Sequence, residues 1–392
     1  MGIKIIKMNL LFIYRRDIHI DDAGASRTII LRENFLAAQP DITVYSSFHH
    51  LSPIDNRIIE LSVKKLTAEN LNACIVTYKI DILCVPEGEI LASLAWKAVQ
   101  GTSCKIVTEL HNQPNYTLDI LRTGIKSHLL YPASFKVKLK AIIKLVLYPI
   151  WKYILNSVSY RRNRQAYFLA DKFVLLSDSF FQPFQRFYKV DKIKMVAIGN
   201  PLSFPTEVSD ADIQRKKNTI LVVSRLEEGH KRISLILECW NKVAKANPDW
   251  NLQIVGTGID ETLYKKMVQK WKLQRVFFEG WQSPEKYYEA ASIFLMTSVV
   301  EGWGMTILEA QQKGCVPIVM DTFSSLYDII NSGYNGFIVK NGDINAMANE
   351  IQTLINDKEY REQIALNAIK STRRFSMNII GEKWLNLYKS LL

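Results

Sequence analysis

Cysteine is scarce in this sequence, with only five among 392 residues. The five are scattered and no pair has C-x-x-C spacing: Cys74, Cys84, Cys104, Cys239 and Cys315. A secreted disulfide scaffold and a structural zinc module both require clustered cysteines. The distribution therefore argues against both and is consistent with a reducing cytoplasm.

Long apolar runs are missing as well. No stretch reaches the roughly 20 residues that a membrane-spanning helix requires. Lys4 and Lys7 interrupt the apolar start, and residues 15–17 follow it without a small-residue cleavage site. The first residues therefore predict a strand rather than a signal peptide. A chain of this length exceeds one ordinary hydrophobic core, so we expect two domains.

Acidic residues are absent from residues 120–170, although the chain has a net charge of +12. The segment carries ten cations: Arg122, Lys126, Lys136, Lys138, Lys140, Lys144, Lys152, Arg161, Arg162 and Arg164. Large apolar side chains alternate with them, as in a helix that lies on an anionic membrane. We interpret the segment as a membrane contact. A solvated crossover that packs on the N-terminal domain is the alternative, and no recognition motif supports nucleic acid.

Short apolar runs alternate with longer amphipathic stretches along the chain, which predicts parallel βα units. The strands predicted in the first half are 10–14, 42–48, 82–86, 105–110, 173–176 and 195–198. Those predicted in the second half are 220–224, 252–255, 276–279, 293–297, 316–320 and 337–339. The polar, aperiodic residues 202–218 form the predicted linker.

The sharpest motif is E-G-W-G-M-T-I-L-E, which runs from Glu301 to Glu309 directly after a predicted strand. Its glycines let the backbone approach a ligand, and the helix that it opens offers unpaired N–H groups to an anion. One carboxylate lies in the loop and the other on the helix, so both are expected to face a crevice at the carboxyl end of the sheet. Carboxylates in such a crevice suit vicinal hydroxyls.

Two cations stand at a neighbouring strand end. Arg225 ends a predicted strand and Lys231 opens the next helix, where together they would neutralise a diphosphate. A Gly-x-Gly turn at Gly256 follows the next strand, a common pattern that carries little weight alone.

The order of these motifs resembles glycosyltransferase family 4, the retaining GT-B transferases. The similarity extends through Gly-x-Val-Pro at 314–317 and Gly-Phe at 336–337, and it is close over residues 220–355. It implies an α/β fold with two Rossmann-like domains and a donor and acceptor cleft between them. Residues 1–200 would bind the acceptor and carry the basic amphipathic insertion, and residues 201–375 would bind the donor. Residues 376–392 would form a C-terminal helix that packs back on the N-terminal domain.

The first half resembles the family more loosely. The family's glycine-rich loop has its counterpart at residues 22–27, where alanine replaces the first glycine and Gly24 could still approach a phosphate. His111 resembles the family's histidine at a strand end. The alternative for His111 is a loop histidine bonded to backbone.

The resemblance implies a set of roles. The catalytic candidates are His111, Arg225, Lys231 and Glu301. The donor-binding candidates are Gly24, Gly256, Trp303, Gly304, Met305, Thr306 and Glu309. Arg225 and Lys231 would hold the donor pyrophosphate with the backbone of Gly24 and Thr306, and Glu309 would bind the ribose hydroxyls. Glu301 and His111 would contact the transferred sugar beside the backbone of residues 303–305.

Neither a metal nor another cofactor is expected. The single Asp-x-Asp, at Asp210 and Asp212, lies in the predicted linker, and Arg225 and Lys231 can supply the charge of a metal ion. No residue is nominated by its spacing as the nucleophile of a double displacement.

The resemblance implies a retaining hexosyltransferase that uses a nucleotide-sugar, and the Glu-Gly-Trp-Gly-Met-Thr form of the motif favours UDP over GDP. Its acceptor would be a glycan or lipid-linked glycan in bacterial capsule or lipopolysaccharide synthesis. We expect it in the cytoplasm, peripherally on the inner face of the membrane. A GT-B epimerase or phosphorylase is an alternative, as is a non-catalytic membrane- or nucleic-acid-binding protein on the same scaffold. A dehydrogenase is disfavoured because no Gly-x-Gly-x-x-Gly follows the first strand.

Overall fold

The computed structural model describes residues 7–20, 24–63, 65–114, 116–131, 135–205 and 208–392. The chain divides into two units. The first unit comprises Met1–Pro114, Asn156–Pro201 and Phe375–Leu392, and the second comprises Asn115–Leu155 and Leu202–Arg374.

Thirteen strands occur in the described residues. They are β1 (Met8–Phe12), β2 (Ile42–Ser46), β3 (Ile59–Glu60), β4 (Ile82–Val85), β5 (Lys105–Leu110), β6 (Lys172–Leu175), β7 (Met195–Ala197), β8 (Lys217–Val223), β9 (Asn251–Val255), β10 (Val276–Gly280), β11 (Ala291–Met296), β12 (Val316–Asp321) and β13 (Phe337–Lys340). All twelve predicted strands are present within a few residues. The strand that was not predicted, β3, has two residues, too few to show a pattern.

Helices connect the strands in the same part of the chain. They are α1 (Gly24–Ala37), α2 (Ala68–Thr77), α3 (Gly88–Ala98), α4 (Thr117–Leu130), α5 (Phe135–Val146), α6 (Tyr148–Phe168), α7 (Phe181–Tyr188), α8 (Asp210–Gln214), α9 (Glu228–Lys231), α10 (Ile233–Val243), α11 (Glu261–Lys270), α12 (Glu285–Ala290), α13 (Met305–Gln312), α14 (Leu326–Ile329), α15 (Ile344–Asn356), α16 (Lys358–Thr372) and α17 (Met377–Lys389). Single 3-10 turns lie at Asp178–Phe180 and Arg373–Phe375.

Each unit is built on a wholly parallel sheet. The first sheet has the order β3-β2-β1-β4-β5-β6-β7, and the second has the order β10-β9-β8-β11-β12-β13. Both orders reverse direction beside the first strand of their unit, as in doubly wound nucleotide-binding folds. Helices cover such sheets on both sides, which is why β4 and β11 are buried along their whole length and have apolar sequences. The prediction of an α/β fold with two Rossmann-like domains is confirmed.

Residues 115–155 depart from the expected division, which assigned the basic segment to the N-terminal domain. In the structure they group with the second unit because α4 packs closely on α9. A Cβ on Gly124 would lie 3.3 Å from the Cα of Gly229, so the two backbones touch. Asp260 accepts a hydrogen bond from His128 at 3.0 Å, and the Tyr131 hydroxyl donates to Glu238 at 2.7 Å.

The C-terminal helix α17 belongs to the first unit, where it packs on α1. A Cβ on Gly381 would lie 2.4 Å from the ring of Phe35, so glycine is needed for this approach. Trp384, Leu385 and Tyr388 of α17 are buried.

The predicted linker is more ordered than its sequence indicates. Residues 210–214 form α8, and β8 begins at Lys217. Ser209 caps α8, because its side chain and backbone exchange hydrogen bonds with Asp212. Polar residues at a helix start therefore account for a pattern that resembled an irregular linker.

Candidate functional site

A lysine and a glutamate meet at the carboxyl edge of the second sheet. Lys231 ends α9, which follows β8, and Glu301 lies in the loop after β11; these two strands are neighbours where the sheet order reverses. The Nζ of Lys231 lies 2.5 Å from Oε1 of Glu301, and each side chain is 16% exposed. Ligands bind at this point in open α/β sheets.

Electrostatics keep Glu301 ionised. Burial is the largest single influence on the pKa of Glu301 and raises it, but the charge and hydrogen bond of Lys231, with smaller contributions from His230 and Ser298, together lower it by more, so the pKa lies below its ordinary value. A lysine ammonium has three donors, and Glu301 occupies one of them, which leaves donors for the oxygens of an anion.

His230, which the sequence did not single out, adjoins this pair. Its Nε2 donates to the carbonyl of Val300 at 2.8 Å, so Nδ1 is the acceptor and receives a 3.4 Å contact from Nη2 of Arg225. Burial and the charge of Lys231 lower the pKa of His230, which keeps the ring neutral. The histidine therefore links the predicted Arg225 to the loop that carries Glu301. The one signal in the sequence was its position next to Lys231.

Arg225 is presented to solvent. Its side chain is 70% exposed and lies 3.5 Å from a carboxylate oxygen of Glu227. The planar guanidinium is thus available at the same edge as Lys231, where it could accept a phosphate in a bidentate manner.

The glycine turn at Gly256 supports the segment that carries Arg225. Gly256 has a φ of +132°, and a Cβ there would lie 2.0 Å from the carbonyl oxygen of Ser224. A Cβ on Gly258 would lie 2.3 Å from the carbonyl oxygen of Leu226, whose N–H donates to Thr257 at 2.9 Å. The structure thus gives this turn a positioning role, and its contact with a donor stays a prediction.

Helix α13 begins next to the Lys231–Glu301 pair. Gly304 precedes it with a φ of +87°, and a Cβ there would lie 2.9 Å from the side chain of Ile307. Trp303 is buried, Met305 is half-buried, and the Thr306 hydroxyl lies 3.7 Å from the sulfur of Met296. The first turn of such a helix directs N–H groups toward an anion.

Glu309 lies inside the second unit rather than in an open crevice. Its side chain is 3% exposed, Ser203 donates to Oε1 at 2.7 Å, and Tyr288 donates to Oε2 at 3.0 Å. The carboxylate that was expected to hold ribose hydroxyls thus accepts two hydroxyls of the protein. Its role toward ribose stays a prediction.

His111 follows β5 in the first unit. Its Nε2 lies 3.1 Å from Oε2 of Glu109, and Oε1 of Glu109 accepts from Nη2 of Arg32 at 2.7 Å. Arg32 lies against the ring of Trp384, with its guanidinium carbon 3.9 Å from the ring centroid. His111 thus lies beside a buried carboxylate, and in the described part of the chain neither ring nitrogen has a partner in hydrogen-bond geometry. Its contact with the transferred sugar stays a prediction.

The buried pair beside His111 is strongly ionised. Burial raises the pKa of Glu109, but Arg32 and His111 lower it by more, to about 2. Burial is the largest single influence on the pKa of Arg32 and lowers it, but the charge and hydrogen bond of Glu109, with smaller contributions from Tyr388 and Cys84, together raise the pKa above its ordinary value.

Two further predictions involve residues that the structure describes only in part. Gly24 begins α1, but Asp22 and Ala23 of its loop lie outside the described residues. Asp212 takes part in the cap of α8, and nothing is described of the Asp210 side chain. Among the described residues, no group of three or more His, Cys, Asp or Glu side chains is placed to hold a metal ion.

Comparison with known proteins defines the class of this fold. Residues 203–371 match the family model described as glycosyl transferases group 1. The structure of Anabaena Alr3699/HepE in complex with UDP and glucose is similar, with a TM-score of 0.67 and 16% identity over 98% of this chain and 100% of that one. The fold is therefore GT-B, with two Rossmann-like domains. The narrower assignment to family 4 stays a prediction.

Curated bacterial relatives are glycosyltransferases by name. An N-acetylgalactosaminyltransferase of Campylobacter jejuni, named as extending a diNAcBac-PP-undecaprenol glycan, is 22% identical over 372 residues, 94% of this chain and 95% of that protein. An uncharacterized glycosyltransferase of Haemophilus influenzae is 27% identical over 216 residues, 55% of this chain. The chain spans between 27% and 60% of the length of three of the curated relatives that it matches.

Proposed function

We propose that this protein is a retaining glycosyltransferase that moves a hexose from a nucleotide-sugar, preferably a UDP-sugar, to a glycan or lipid-linked acceptor in bacterial cell-surface polysaccharide synthesis. The observation that carries the proposal is the Lys231–Glu301 pair at the reversal point of the second sheet, beside the start of α13. The match of residues 203–371 to glycosyl transferases group 1 and the UDP complex of the similar Anabaena structure support it.

The donor's pyrophosphate would bind at this edge. Lys231 supplies a fixed point charge, Arg225 supplies an exposed guanidinium, and α13 supplies N–H groups at its start. As the bond from the sugar's anomeric carbon to phosphate breaks and the bond to the acceptor oxygen forms, negative charge accumulates on the leaving nucleoside diphosphate. Cations fixed at that place stabilise the transition state more than the ground state.

The direct test is release of nucleoside diphosphate. Purified protein is incubated with a panel of UDP- and GDP-sugars and an acceptor extract, and free UDP or GDP is measured. We expect release from one donor, a strong loss in Lys231→Ala, and no loss in Lys245→Ala, which removes an exposed lysine from the same unit. No release from any donor, or equal activity of both variants, would contradict the proposal.

We also propose that α5 and the first half of α6 dock the protein on the anionic inner face of the membrane. Their apolar side chains face outward: Phe135 is 80% exposed, Val146 71% and Tyr153 75%. Such exposure does not fit a crossover whose apolar face is packed. Among the described residues no single helix has the length and apolarity to cross a membrane; α5 and α6 meet these criteria only together, with a 69° bend between them.

Vesicle binding tests the docking proposal. Each cation near an anionic surface contributes about 1 kcal/mol within a Debye length, so binding should rise with anionic lipid and fall partly in high salt. Replacement of Lys136, Lys138, Lys140 and Lys144 by Gln should weaken co-sedimentation while turnover on a soluble acceptor analogue is kept. Wild-type protein that ignores anionic vesicles at low salt would refute the proposal.

A further inference from the structure

An apolar pocket lies in the second unit, where α4, α5 and the start of α6 face α9 and the residues before α11. Its volume is about 610 Å³, within the range of about 300–1,000 Å³ typical of small-molecule sites. Its walls are mainly apolar and include Leu121, Ile125, Val137, Ala141, Trp151 and Leu155. The pocket is separate from the Lys231–Glu301 pair, neither member of which lines it.

Two lysines give the pocket a positive side. Lys140 and Lys144 both line it and stand one helical turn apart on α5. The acidic side chains that also line it already have partners: Asp260 accepts from His128 at 3.0 Å, and Glu227 lies 3.5 Å from Arg225. Among the described residues, no carboxylate forms an ion pair with Lys140 or Lys144, and both are exposed.

This combination of an apolar interior and a cationic rim selects an amphiphile with an anionic head. A free phosphate would gain nothing from the apolar walls, and a neutral lipid would gain nothing from the lysines. The exposed apolar side chains of α5 on either side of the lysines would bring the opening to the surface of a bilayer.

We propose that the pocket binds the apolar chain of an isoprenoid or acyl lipid, with its phosphate or pyrophosphate at Lys140 and Lys144. The inference rests on the proposed function in one respect, because the bound lipid would be the anchor of the acceptor. The pocket would thereby hold one lipid molecule, whereas docking on a membrane requires only its surface.

Equilibrium dialysis with farnesyl diphosphate, below the concentration at which it aggregates, tests the proposal. We expect saturable binding of one molecule per chain. Farnesol, which lacks the charge, and inorganic pyrophosphate, which lacks the chain, should each bind at least tenfold more weakly. Each methylene moved from water into the pocket strengthens binding by about fourfold, so geranyl diphosphate should also bind more weakly.

Variants of α5 identify the site. Lys140→Gln with Lys144→Gln should weaken binding of farnesyl diphosphate by about fivefold for each lysine. Lys136→Gln with Lys138→Gln removes two charges from the same helix outside the pocket and is the matched control. Ala141→Phe should fill the pocket and abolish binding, and because Ala141 is buried, the lysine variants provide the test if that variant does not fold.

The outcomes separate this inference from the proposed function. Transfer to a soluble acceptor without binding of farnesyl diphosphate would contradict the proposal that the pocket binds a lipid. The proposed transferase function would not be affected. Equal losses in both lysine pairs, or binding to anionic vesicles but not to the single molecule, would show surface electrostatics only and would also overturn the pocket proposal. Saturable binding without turnover on any donor would support the pocket and count against the transferase.

Discussion

Removal of Arg32 should destabilise the first unit strongly. In Arg32→Met, the carboxylate of Glu109 stays buried at 3% exposure and loses its 2.7 Å partner. Breaking a buried ion pair by removing one member costs about 3–5 kcal/mol, because an uncompensated charge is left inside. The stacked contact with Trp384 is lost in the same substitution.

Thermal unfolding measures this cost. A unit of this size loses about 2–4 °C of Tm per kcal/mol, so the transition of the first unit should fall by roughly 6–20 °C. Arg57→Met is the control: Arg57 pairs with Asp55 at 2.6 Å on the surface of the same unit, where solvent screens the charges and loss of the pair should change the Tm little. Arg32→Met combined with Glu109→Gln should recover part of the loss, since no unpaired charge remains.

The Arg32–Glu109 pair also makes the stability of the first unit depend on pH in the acid range. The pKa of Glu109 is about 2 in the folded chain, below the ordinary value of 4.5, so its contribution is complete above about pH 4.5 and is lost as the pH falls toward 2. Arg32→Met should remove this pH-dependent contribution of Glu109 to the stability of the first unit. A variant as stable as Arg57→Met, with an unchanged acid transition, would refute the reasoning.

The remaining expectations concern the site. Arg225→Ala and Lys231→Ala should each lower turnover about thirty- to thousandfold, which corresponds to a loss of about 2–4 kcal/mol of transition-state stabilisation, and circular dichroism should stay native. Activity within threefold of wild type in both variants would contradict the assignment of Arg225 and Lys231 to the donor pyrophosphate. Glu309→Gln should weaken donor binding in a titration with UDP; unchanged affinity would leave Glu309 a structural role with Ser203 and Tyr288. Activity should survive EDTA, and a Mn²⁺ requirement would contradict the expectation that no metal takes part.

Most strands were predictable because they are short apolar runs that are largely buried in a parallel sheet. β4 and β11 are of this kind, and their patterns need no knowledge of neighbouring elements. Lys231 and Glu301 could be placed at adjacent strand ends because they follow two predicted strands, β8 and β11, of one parallel sheet. Local sequence was sufficient here because strand order in such folds follows a narrow set of rules.

Long-range partners were not predictable. Arg32 and Glu109 lie 77 residues apart in sequence, and nothing near either residue identifies the other. The turn at Gly256 was a donor-binding candidate by resemblance, but its geometry is dictated by the backbone of the neighbouring strand end at Ser224. The placement of residues 115–155 depended likewise on the fit of Gly124 against Gly229.

The position of α17 in the sequence determines when the first unit can be completed. Trp384 covers Arg32, and Gly381 receives Phe35, although these partners stand at opposite ends of the chain. During synthesis, all residues of the second unit have been made once Arg374 is added. The first unit at that moment still lacks residues 375–392, which include α17. The unit that is begun first is therefore finished last, and until then its buried ion pair is open to water.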